Sequence, residues 1–66
     1  MEKGVIRSIN SHDNIGTIAD EQGKIINFNS SHIVDKDRTA LKMGDNVWFE
    51  KLGIDLDIKA INIRRC

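Results

Sequence analysis

Lys3-Gly4-Val5-Ile6-Arg7-Ser8-Ile9-Asn10, followed by Asn14-Ile15-Gly16-Thr17-Ile18, decides the fold of this chain. Both stretches are short and rich in β-branched residues. The break between them, Ser11-His12-Asp13-Asn14, is made of residues that bond their own backbone or tolerate a left-handed conformation. That combination reads as two strands joined by a turn, Val5 to Asn10 and Ile15 to Ala19. Strict alternation on the first strand places Ile6 and Ser8 on one side and Val5, Arg7 and Ile9 on the other. Neither side is then cleanly apolar, so a curved strand with both faces partly covered fits better than a flat one.

The same rhythm repeats along the rest of the chain. Asp20-Glu21-Gln22-Gly23 reads as a hairpin turn with Gly placed for positive φ. Lys24 to Asn29 follows as a third strand with Ile26 and Phe28 on one face. Asn29, Ser30 and Ser31 are good helix caps, but the following residues support only a single helical turn near Ser31 to Val34. An exposed loop through Asp35-Lys36-Asp37-Arg38 comes next. Lys42-Met43-Gly44-Asp45 is another turn, Val47-Trp48-Phe49 opens a fourth strand, Gly53 marks a turn, and Asp57 to Arg64 is a fifth strand. Three strands, a break and two more predict an all-β, five-stranded small barrel in one domain spanning residues 1–66.

Composition narrows the function classes. The 66 residues suffice for one small domain of marginal stability, with little room for an internal catalytic cleft. Ten basic residues are balanced by ten acidic ones, so a domain-wide basic excess, the simplest mark of a nucleic-acid partner, is missing. One cysteine, Cys66, excludes an internal disulfide. No apolar run approaches the ~18 residues of a membrane span, and no signal-peptide core follows Met1, so the expectation is a cytoplasmic protein without a membrane partner. His12-Asp13 has no nucleophile beside it, and His12 and His32 lack metal-ligand spacing. The glycines do not form a phosphate loop. No enzyme, metal or cofactor is expected.

The motifs resemble the cold-shock domains, which are five-stranded antiparallel OB-fold barrels, over about residues 3 to 64. That family opens roughly K-G-x-V-K-W-F-N, where this chain has Lys3 to Asn10. Its first nucleic-acid motif reads K-G-F-G-F-I, against Asp13-Asn14-Ile15-Gly16-Thr17-Ile18. Its second reads V-F-V-H-F and then S-A-I, against Ile26-Asn27-Phe28-Asn29-Ser30 and then Ser31-His32-Ile33. L-x-x-G-x-x-V-x-F is similar to Leu41 to Phe49, and A-x-N-V to Ala60-Ile61-Asn62-Ile63.

The resemblance implies an interior made of Ile6, Ile18, Ile26, Phe28, Ile33, Val47 and Ile63. It also implies an outer face that stacks nucleobases on aromatic rings. At those outer positions this chain carries Ser8, Ile9, Ile15, Thr17, Asn27, Asn29 and Ser30, and Arg38 at the loop position that often holds another ring. Each stacked base contributes about 1–3 kcal/mol, so losing several removes on the order of 5–10 kcal/mol. That is comparable to the ~8 kcal/mol behind a micromolar complex. Residues 1–20 carry a net charge of −1, which does not compensate.

Two functional expectations follow. The first is a regulatory protein-interaction module, binding a protein partner or a second copy of itself through Trp48, Ile54, Leu56 and Ile58. In it Trp48 points outward because Val47 takes the core position. The alternative is a weak or atypical binder of single-stranded DNA or RNA. It would use Lys3, Arg7, Asn10, Asn27, Asn29 and Arg38 on the inherited face. The Arg64-Arg65 pair reads as a solvated basic tail.

Overall fold

A computed structural model describes residues 1–10, 12–34, 41–54 and 57–66. Among these residues five strands form, β1 (Glu2–Asn10), β2 (Ile15–Asp20), β3 (Ile25–Asn29), β4 (Asn46–Leu52) and β5 (Lys59–Arg65), with a 3₁₀ turn at Ser30–His32 after β3. They close into a barrel in the order β1-β2-β3-β5-β4. The expected all-antiparallel sheet is corrected in one place: β3 and β5 run parallel. Parity requires it, since neighbours in a closed ring with an odd number of strands cannot all alternate in direction.

The expected strand limits shift for identifiable reasons. β1 starts at Glu2 because Glu2 to Val5 pair with β4 as well as continuing toward β2. β3 starts at Ile25 because the Lys24 N–H is taken by the Asp20 carboxylate, 2.8 Å away. β5 begins at Lys59 and runs on to Arg65, which pairs with Val47. The single helical turn is a 3₁₀ turn one residue earlier than expected, capped by the Asn29 side chain, which accepts from the Ser31 N–H at 2.9 Å.

The mixed polarity of β1 is resolved by a bulge. Ile6 pairs with Ile18 and Ser8 with Thr17, so Arg7 is an extra residue without a place in the ladder. Gly4 and Ile6 therefore face inward, while Lys3, Val5 and Ser8 face outward. A second bulge lies on β5 between its pairings with Trp48 and Glu50. There Asn62 adopts φ +51°, which an asparagine tolerates better than most residues.

All seven expected interior residues are buried, joined by Leu41, Phe49 and Ala60. Ile6, Ile18 and Ile26 form one inward row across three strands. Burying each such side chain contributes about 1.5–3 kcal/mol. Beneath β2 the packing is close enough to require glycine. A Cβ on Gly16 would lie 2.5 Å from Phe28 Cζ and 2.6 Å from the Ser8 carbonyl oxygen. The hairpin glycine, Gly23, adopts φ +84°.

One buried acid fastens the β2–β3 turn to β4. Asp20 accepts from the Gln22 N–H (2.9 Å), the Lys24 N–H (2.8 Å) and Lys51 Nζ (3.2 Å). Lys51 also reaches Glu2 at 3.1 Å. The Lys24 N–H above all, helped by Lys51 and the Gln22 N–H, holds the Asp20 carboxyl below its ordinary value against the opposing effect of burial. Glu2 first, and Asp20 second, push the Lys51 ammonium up.

Candidate functional site

The outer faces of β1, β2 and β3 form a groove of about 640 Å³. Its geometry follows from strand register. Ser8 pairs with Thr17, Thr17 with Asn27, and Asn27 with Lys59, giving one outward row across four strands. The row on one side of it is Asn10, Ile15 and Asn29, and the row on the other is Val5, Ala19 and Ile25. Successive outward rows stand about 7 Å apart along a strand. The middle row is hydrogen-bonding throughout and ends in a cation. The flanking rows keep exposed aliphatic surface, with Ile15 50% and Ile25 53% exposed.

Local bonding decides which of these side chains are available. Ser8 Oγ and Thr17 Oγ1 bond each other at 2.7 Å. Asn10 is committed to the β1–β2 turn: its carbonyl accepts from the His12 and Asp13 N–H groups, and its amide donates to Asp13. The Asn29 carbonyl caps the 3₁₀ turn. Asn27 makes no side-chain hydrogen bond among the described residues, so its amide is the groove's uncommitted donor and acceptor. Gly16 lines the floor above Phe28, where an added side chain would be driven inward onto the Phe28 ring.

The expected nucleic-acid residues divide. Asn10, Asn27 and Asn29 meet in the groove. Arg7 is the exposed bulge residue. Lys3 lies on the far side of β1, opposite Trp48 on β4, with its ammonium 5.8 Å from the centre of the indole. Arg38 lies outside the described residues. The groove gains Lys59, which was not among the expected residues. A charge count over residues 1–20 does not reach it. The parallel pairing of β5 with β3 brings it in, and the odd strand number was the available signal.

The expected protein-contact residues differ in exposure. Trp48 points outward, 39% exposed, between Lys3 on β1 and Arg64 on β5. Ile54 stands 78% exposed in the turn after β4. Ile58 is partly buried and packs on the core. Leu56 lies outside the described residues.

His12 and His32 are both exposed, and among the described residues no group of three His, Cys, Asp or Glu is placed to hold a metal ion. Cys66 is an exposed free thiol. Among the described residues no helix is long and apolar enough to cross a membrane. A scan against protein-family models matched none, and a search of curated proteins found no match to this sequence.

Proposed function

We propose that this protein is a non-enzymatic binding module, an OB-type barrel of cold-shock-like design, that holds single-stranded nucleic acid weakly in the β1–β3 groove. The strand order, the parallel contact between β3 and β5, and the break after β3 support the OB-type reading. The observation that carries the function is the middle row, Ser8, Thr17, Asn27 and Lys59, lying along an open groove that also exposes the aliphatic side chains of Ile9 and Ile15. Hydrogen bonds from hydroxyls and an amide, one cation for a phosphate and aliphatic contact with base faces replace ring stacking. This is weaker chemistry, and the chain's zero net charge adds little to it. The expected dissociation constant is roughly 10⁻⁴ M at physiological salt, the weak end of non-specific binding.

The test is a nuclear magnetic resonance titration of the labelled protein with oligo-dT and with a mixed-sequence RNA. Shifts clustered on Ser8, Thr17, Asn27 and Lys59 support the proposal. Shifts scattered over the barrel, or none at millimolar oligonucleotide, overturn it.

A second reading, a regulatory protein-interaction module, is favoured by a separate observation. Leu52 at the end of β4 and Ile54 just after it are both strongly exposed. Co-purification with and without nuclease distinguishes the two readings: a protein partner retained after nuclease and lost with Ile54→Ser supports the second.

A further inference from the structure

The chain has three aromatic residues, and two of them, Phe28 and Phe49, are buried in the core. The third, Trp48, is held on the outer face of β4, away from the groove, by the inward placement of Val47 and Phe49 on either side. Register sets a cation on each flank: Lys3 on β1 and Arg64 on β5 both pair with Trp48. Strands lie about 4.8 Å apart, so the three residues form a line about 10 Å long across the sheet. Lys3 already sits over the indole. Neither Lys3 nor Arg64 has a carboxylate partner among the described residues. The next outward acid on β4, Glu50, is engaged by the Asn62 amide.

From this arrangement we infer that Lys3, Trp48 and Arg64 form a second single-strand contact, separate from the groove, in which one base stacks on Trp48 while the flanking phosphates meet the two cations. A base-stacking ring within a basic track is the common physical basis of sequence-tolerant single-strand binding. The ligand class follows from the pairing of the two features. An acidic peptide satisfies the cations but offers no flat partner to the indole. A neutral apolar partner covers the indole but strands two charges beside it. A single strand supplies both a base face and phosphates. The inference shares the ligand class of the groove reading but rests on different residues.

Trp48 is the chain's only tryptophan, so its fluorescence reports this site alone. Oligo-dT is titrated at several salt concentrations while the emission of Trp48 and the amide shifts of Asn27 and Lys59 are followed. Saturable quenching of Trp48 is expected. The Lys3→Ala/Arg64→Ala variant should reduce the salt slope of log K by about 1.4, two phosphate contacts on a single strand. Trp48→Ala should weaken binding at least about fivefold. If it fails to fold, the cation variant carries the test. The Asn27→Ala/Lys59→Ala variant should leave the quenching amplitude unchanged. Groove shifts without Trp48 quenching overturn this inference and leave the groove reading standing. Quenching without groove shifts does the reverse. Equal quenching by poly-glutamate overturns it in favour of an acidic protein partner.

Discussion

Neighbouring residues on β3 have opposite duties. Phe28 closes the core under Gly16, whereas Asn27 and Asn29 on either side of it face solvent. Truncating Phe28 to Ala should cost about 3–5 kcal/mol, comparable to the entire stability of a domain this size, and a thermal melt should show no cooperative transition. Asn27→Ala should change stability by no more than about 0.5 kcal/mol while weakening oligonucleotide binding. Gly16→Ala should destabilise by about 1–3 kcal/mol through overpacking against Phe28, measurable by urea titration. At this scale the sequence was highly legible. Ile26 and Phe28 alternate with polar residues, and alternation on a strand is read directly as inside and outside. Ser8 was less so, because its direction depends on an extra residue, Arg7, that no local pattern marks.

Turns and strand ends show what pattern alone misses. Gly23 and Gly44 announce their turns through their freedom at positive φ, and both adopt it. The anchor of the first of these turns is different: a buried Asp20 joined to Lys51, thirty-one positions along the chain. An acid in a polar turn looks solvated until β4 closes over it. Its titration gives a test. The folded Asp20 carboxyl lies below its ordinary value near 3.8, so the unfolded chain binds the proton more readily. The resulting stability is present above about pH 4 and lost as pH falls through the lower folded value. Lys51 works in the opposite direction: its raised ammonium stabilises fully below its ordinary value near 10.5 and loses that contribution as pH rises through the folded value. Melting temperature should therefore fall on both the acid and the alkaline sides, and Asp20→Asn should flatten the acid limb.

For the whole molecule, five strands and their order of appearance were visible from composition and spacing, but their closure was not. Lys59 reaches Asn27 only because β5 lies beside β3, a contact between residues far apart in sequence that no window of neighbours contains. The same closure separates Ile58, drawn onto the core, from Trp48 and Ile54, which remain outside. The shared outer surface can be tested as a unit. Ser8→Trp, Thr17→Phe and Asn27→Phe place three rings on one register row. The triple variant should stay folded and bind single strands at least tenfold more tightly, about 1.4 kcal/mol of what stacking supplies. Anisotropy titrations with oligo-dT measure the gain, and a folded variant with unchanged affinity would contradict the surface described.

The parallel contact has a mechanical consequence. Among the described residues the register between β3 and β5 comprises two residue pairs, against six between β1 and β2, with the Ile33–Ile63 bridge alone continuing it beyond the 3₁₀ turn. The hoop therefore has a seam. Fluctuations that part it expose few hydrogen bonds, so amides along it should exchange with deuterium sooner than those of the β1–β2 ladder. Asn27 and Lys59 face each other across that seam. A strand laid over both would act as a suture, and its binding should be recorded as slowed exchange at a site of opening.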